Sequence, residues 1–399
     1  MPASGHIRAR PIPEYEVDLF SAESVRRARA VDDAVREFAP VVRLADGTVM
    51  ITRYADVAAG LKDWRTFSNT SRPWHDPASV RPEILLTDDP PRHTDVRGVV
   101  AEVLSPAVLE AARSKFERDA AEVVDELLAR EGEVVDAVAD VTQRFVYKVL
   151  PDLVGVPAEG REHMQAFSHM VWATMGPPNP LFDEAMVGVE PVLGWIEQCC
   201  NRENVDPDGV GTMLYRLADE GRVTQAEAKL LLQTILAAGA DTTVLTMANA
   251  MGAFALYPEE YRKVRENPRL VRNAFDESLR WDSPSRMAGR ITTRDIEIEG
   301  YAVPAGQRVG LMFAAANRDL RAWADPDRFD AERDVRKSIG WGYGVHACVG
   351  RTLAQLEANV LLGEIARRVA RFEPAGEPEP WMTTIGHGPV RWPLRVYAA

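Results

Sequence analysis

The residue best placed to do chemistry is Cys348, in the run Trp341-Gly342-Tyr343-Gly344-Val345-His346-Ala347-Cys348-Val349-Gly350, directly before a helical pattern that begins at Arg351. A thiolate at this point faces the free N–H groups and the dipole of the first helical turn, both of which favour negative charge. The chemistry that suits it is metal ligation through sulfur. Gly342, Gly344 and Gly350 let backbone pass close to a flat, bulky group, where any side chain would obstruct it. Two other readings fit the same residues: a structural cysteine in a Gly-rich turn, and a dinucleotide fingerprint on Gly342, Gly344 and Ala347 that lacks a βαβ context. Zinc is excluded, because His346 and Cys348 have no second pair at ligand spacing and Cys199-Cys200 is an adjacent pair without partners.

A second group of chemical residue types lies in Ala238-Gly239-Ala240-Asp241-Thr242-Thr243. Gly, Asp and β-branched Thr are weak helix formers, so an undisturbed helix is not expected here. Either the small residues allow a close helix crossing, or they leave a groove for a small ligand, with Thr242 offering a hydroxyl and Asp241 a carboxylate for proton transfer. A third group is Glu277 and Arg280, three apart and side by side at the edge of an apolar helix face. Alone they read as a surface ion pair, but Arg328 supplies another guanidinium able to fork onto the same carboxylate.

The elements that must position these residues are mostly helices. Apolar residues recur at helical spacing over 105–130, 136–153, 224–256, 268–282 and 351–371. The segment 224–256 opens with Thr224 and Glu227, a capping-box pattern, and would span about 48 Å. Strand-like runs are few: Val41 to Leu44 and Val49 to Thr52 flank a hairpin turn at Ala45-Asp46-Gly47, and Ile296 to Val303 alternates with turn residues. The fold class is therefore mainly α, with a small β-rich region. We expect one domain over 1–399, with 1–15 a loosely ordered N-terminal segment.

Composition bounds the function. The chain has 399 residues, 46% of them hydrophobic and 27% charged, as in ordinary globular proteins. Asp and Glu exceed Lys and Arg by 60 to 47, a net charge of −13, which repels a phosphate backbone and argues against a nucleic-acid partner. Three cysteines cannot build a disulfide framework. No signal peptide and no membrane span is evident, so a cytoplasmic protein is expected.

Taken in order, the helix motif around Asp241-Thr242, Glu277-x-x-Arg280, the Arg328-Phe329 segment and the Cys348 loop resemble the haem-thiolate mono-oxygenases called cytochrome P450, from about Phe20 to the C-terminus. The resemblance implies the P450 fold, with haem b (iron protoporphyrin IX) between the long central helix and the Cys-loop helix. It implies that Cys348 is the axial iron ligand, that Asp241 and Thr242 guide protons, and that Glu277, Arg280 and Arg328 form a structural triad. The haem propionates would be held by His93, Arg97, Arg290 and His346, with Gly342, Gly350 and Ala238 against the macrocycle. Electrons would come from NAD(P)H through a two-iron ferredoxin and its reductase, since no flavin or reductase domain is fused, and Arg97, Arg351, Arg333 and Lys337 could form the docking patch. A monomer is expected. One departure stands out: the aromatic that opens the Cys loop, usually Phe, is Trp341, which bears on hydrogen bonding near the sulfur and on the redox potential.

Within the family the chain is most similar to bacterial enzymes that O-demethylate para-methoxybenzoates, through Gly176-Pro177-Pro178-Asn179 and Ala237 to Val244. Trp74, Trp172, Met175, Phe182, Met287, Ile385 and Ala238 give an apolar, aromatic lining suited to a small ring. Those relatives grip a carboxylate with Arg and Ser before the Asp-Pro-Pro that is here Asp89-Pro90-Pro91. This chain has Val80-Arg81-Pro82-Glu83 there, and Glu83 would repel a benzoate. The expected substrate is therefore a neutral methoxyphenol of the syringol or guaiacol type, its phenol bonded by His75, Arg81, Glu83 or Gln233, and cleaved to the free phenol plus formaldehyde with O2. O-demethylation or hydroxylation of para-substituted benzoates, gripped by Arg81, is the alternative. A peroxide-driven peroxygenase and a non-catalytic haem protein are further ones.

Overall fold

The structure, a computed structural model, describes residues 10–70, 74 and 84–399. Its axis is the helix Gln225–Leu256, started by a capping box in which Thr224 accepts the Glu227 N–H and the Glu227 carboxylate accepts the Thr224 N–H. Helices Met164–Ala173, Arg144–Val154, Val210–Asp219 and Leu270–Trp281 pack around it. This helix is long and apolar enough to cross a membrane, but 72% of its most apolar stretch is buried inside the protein. Its apolarity is that of a core element.

The helix runs unbroken through Ala238–Thr243, so the expected disturbance is absent. Packing overrides the weak local propensity: a Cβ at Gly239 would sit 3.2 Å from Cδ2 of Leu150, so the small residue admits the crossing helix Arg144–Val154. The segment expected as one helix over 136–153 starts as a π-helix, Ala137–Gln143, before continuing as Arg144–Val154. The Cys-loop helix, Arg351–Arg368, ends earlier than expected, because Val369–Pro374 pairs antiparallel with Pro393–Ala398.

Among the described residues the main sheet has six strands in the order Glu14–Tyr15, Val41–Leu44, Val49–Ile51, Arg308–Leu311, Ala288–Thr292 and Phe67–Ser68. The expected hairpin at Gly47 is present, with Val41 opposite Ile51. Part of the segment expected to be loose is tied down: Glu14–Tyr15 pairs with Arg43 and Leu44, and the Arg10 N–H donates to the Gly300 carbonyl at 2.8 Å.

The ion pair of Glu277 and Arg280 is fully buried, with Arg280 donating Nε and Nη2 to the carboxylate at 2.7 and 2.9 Å. The third member is not Arg328. Nε of Arg333 donates to Oε1 of Glu277 at 2.9 Å, whereas the half-exposed guanidinium of Arg328 turns to Glu260 at 3.2 Å. Arg328 contributes through its carbonyl, which accepts from Arg333 and Arg280. Arg280 also caps the carbonyls of Asn317 and Pro326. The triad thus sews the segment before the Cys loop onto helix Leu270–Trp281.

A thiolate loop facing an open stripe of the central helix

The Cys loop holds its shape through backbone positions only glycine adopts comfortably. Gly342 and Gly344 have φ of 67° and 68°, and a Cβ at Gly344 would lie 2.6 Å from the Leu61 carbonyl oxygen. The loop closes where the Cys348 N–H donates to the Trp341 carbonyl at 2.7 Å. Burial pushes the Cys348 thiol pKa up, opposed by the backbone N–H groups of Gly350 and Arg351 and by the charges of Arg97 and Arg351. Yet the residue is exposed. A side chain both accessible and hemmed in by protein borders an internal cleft, not the outer surface. A metal cation completing this donor set would deprotonate the sulfur outright.

A stripe of the central helix is likewise open. Ala238 is exposed and Thr234 and Thr242 are partly exposed, while residues 235–237, 240, 241 and 243 are buried. Positions i, i+4 and i+8 share one face, so Gly239 is packed on one side, as the close-crossing reading expects, while Ala238 is open on another. Thr242 Oγ1 donates back to the Ala238 carbonyl at 2.9 Å.

At the rim, the rings of His93 and His346 lie 4.2 Å apart. Both nitrogens of His93 and Nε2 of His346 are buried without a hydrogen bond, with Oδ1 of Asp89 4.0 Å from the latter. His346 is pushed down to about 3 by burial, then by Arg290, His93 and Arg97. Burial lowers Arg290 to about 10, partly offset by Asp89, and lowers Arg97, with Cys348 opposing. Buried polar atoms normally find partners, and a dianion seated between these four side chains would give the orphaned nitrogens an acceptor and pair with the two guanidinium charges. Haem fits these residue types: Cys348 would supply the sulfur ligand, His93, Arg97, Arg290 and His346 would meet the propionates, and Ala238 would leave room for the macrocycle. A Cβ at Gly350 would lie 3.8 Å from the sulfur, and one at Gly342 3.4 Å from the His346 carbonyl oxygen.

Asp241 is buried, and burial raises its carboxyl to about 6 against hydrogen bonds from Tyr147 and Ser168. The Tyr147 hydroxyl donates to Oδ1 at 2.5 Å. Neither partner was visible in the sequence, since both come from helices that only tertiary packing brings alongside. Behind the central helix, Glu357 bonds Thr243, and burial holds its carboxyl well above the usual range with Oε1 unpartnered.

Trp74, Trp172, Met287 and Ile385, with Met175 packed against them, meet in one apolar cluster. Phe182 is half-buried on the short helix Pro180–Ala185, outside that cluster. Gln233 does not face the cleft: its amide points at the Ile196 carbonyl and Glu197, at 3.5 and 3.4 Å. His75, Arg81 and Glu83 lie outside the described residues. Trp381, absent from the expected lining, belongs to the cluster and meets Trp172 edge-on at 5.7 Å. His169 leans on Trp381 at 5.6 Å, with its Nε2 buried and unpartnered. Arg286, next to Met287 in sequence, uses four of its donors: Asp32 takes Nε and Nη2, and the Leu19 and Thr384 carbonyls take Nη1. Of the expected docking cations, Arg333 is withdrawn by its bond to Glu277, and Lys337 donates to the Ala322 carbonyl and lies over Trp323 at 4.5 Å.

Comparison with known proteins agrees with this geometry. Residues 200–390 match the family model Cytochrome P450. The chain is 38% identical over 376 residues to cytochrome P450 CYP199A2 of Rhodopseudomonas palustris, covering 92% of this chain and 90% of that one. It is 32% identical to a vitamin D(3) 25-hydroxylase of Pseudonocardia autotrophica, covering 87% and 88%. Among solved structures, cytochrome P450 CYP109Q5 from Chondromyces apiculatus superposes with a TM-score of 0.80 at 28% identity, over 96% of this chain and 99% of that one. The chain, with its Cys348 loop, therefore belongs to the cytochrome P450 family of haem mono-oxygenases.

Proposed function

We propose that this mono-oxygenase removes the methyl group from a small neutral methoxyphenol of the syringol or guaiacol type. The observation that carries the reading is an apolar cluster. Trp172, Trp381, Trp74, Met287 and Ile385 pack together as buried aromatic and aliphatic side chains, and the guanidinium of the neighbouring Arg286 is bonded to Asp32 and two carbonyls. A benzoate placed against that cluster would bury an uncompensated carboxylate, which is far more costly than burying a neutral ring.

Haem held by Cys348 supplies activation of O2 for insertion of one oxygen atom into a C–H bond. With two electrons and two protons, the methoxy methyl becomes a hemiacetal and the second oxygen atom leaves as water. The hemiacetal then collapses to the phenol and formaldehyde. The chain's part is to exclude water from the ring with the tryptophans and to deliver protons from the side of Asp241 and Thr242. A carboxyl near 6 holds and releases a proton close to neutral pH. Electrons reach the site from a ferredoxin and its reductase, docked where Arg97 and Arg351 lie near the thiolate, in a monomeric cytoplasmic enzyme.

The test is formaldehyde release with ferredoxin, reductase, NAD(P)H and syringol or guaiacol. Stoichiometric formaldehyde and demethylated phenol are expected. Absence of formaldehyde with every methoxyarene tried overturns the proposal, and turnover of 4-methoxybenzoate alone assigns Arg81 to a carboxylate grip.

A further inference from the structure

Asp276 precedes Glu277 but takes no part in the buried triad. Its carboxylate is buried and turned toward the Cys loop, where Oδ1 accepts the Trp341 indole N–H at 3.0 Å. The Gln355 amide donates to both oxygens at 3.1 Å. Nη2 of Arg351 lies 3.6 Å from Oδ2, and the Arg351 guanidinium lies over the Trp341 ring at 5.5 Å. The Trp341 indole is thus committed to a carboxylate, while its carbonyl takes the Cys348 N–H. Arg351 is also one of two cations that favour the thiolate. A single carboxylate therefore holds the loop's first residue and the nearby guanidinium together.

Resting on the assignment of haem to Cys348, we propose that Asp276 is a positioning residue that sets the haem reduction potential by counterbalancing the charge of Arg351. Reduction adds one electron to the iron and thiolate unit, so a nearby cation favours the reduced form and a nearby anion the oxidised form. A neutral acceptor would suffice to anchor Trp341 and Gln355. A buried carboxylate instead also offsets Arg351, and removing its charge exposes the iron to that cation.

The test is potentiometric titration of the haem-loaded protein without ferredoxin, so that docking does not enter. Asp276→Asn should raise the potential, Arg351→Gln should lower it, and the double variant should return close to wild type. Arg351 is half exposed, so solvent moderates each step to about a threefold change in the reduction equilibrium, about 28 mV at 59 mV per tenfold for one electron. Asp276→Glu, which keeps the charge, should restore the wild-type value. A potential unchanged or lowered in haem-loaded Asp276→Asn overturns the proposal. Should that variant fail to fold, a potential that does not fall in Arg351→Gln does the same. Wild-type protein that binds no haem overturns the underlying assignment instead.

Discussion

Replacing Tyr147 with Phe removes the hydroxyl that donates to Oδ1 of Asp241 at 2.5 Å and leaves the ring in place. That bond favours the charged carboxylate, against the burial that lifts it to about 6. A hydrogen bond to a charged group is worth about 1.5–3 kcal/mol, and one pKa unit corresponds to about 1.36 kcal/mol. Its loss should therefore raise Asp241 by roughly one to two units, to about 7–8. The assay is product formed per NAD(P)H consumed, followed across pH. Wild type should show an inflection near pH 6, and Tyr147→Phe the same inflection displaced toward alkaline pH. An inflection that stays in place, or moves toward acid, refutes the assignment of Asp241 as the titrating proton donor held by Tyr147.

Asp241→Asn should change how stability responds to pH. A carboxyl raised from 3.8 to about 6 in the folded state costs stability as pH rises through that window, by roughly 3 kcal/mol in full. Denaturant melts should show the Asn variant gaining on wild type by about 2.5 kcal/mol between pH 4 and 7.5. Breaking a buried ion pair costs about 3–5 kcal/mol, so Arg333→Ala should lose most of that in the same melts, whereas Arg328→Ala, which removes a half-exposed guanidinium, should lose less than about 1. Gly344→Ala places a Cβ against the Leu61 carbonyl in a left-handed backbone and should lower haem occupancy, read from absorbance per protein.

The parts of the site written in contiguous residues were legible in the sequence. The Cys348 loop and the capped central helix depend on local pattern and on motif order, whereas the basic residues at 93, 97, 290 and 346 came only from the family resemblance. Gln233 shows where that reading failed. Successive helical residues turn by about 100°, so the position in line with Ala238 and Thr242 is Thr234, and Gln233 faces the helix Glu190–Cys199 instead. The triad failed differently: Arg328 and Arg333 lie five apart in an irregular segment, where no periodicity indicates which guanidinium reaches Glu277. Tyr147, Ser168 and Trp381 carried no local signal, because their proximity to Asp241 and Trp172 arises from chain crossings far apart in sequence.

The central claim is that Cys348 carries a haem whose pocket accepts a neutral methoxyphenol. An absorption spectrum of the purified, haem-loaded protein, titrated in parallel with syringol, guaiacol and 4-methoxybenzoate, tests it most directly. A thiolate-ligated haem that shifts to high spin with a phenol and not with the benzoate is expected. A shift with the benzoate alone, or a protein that takes up no haem, would contradict it.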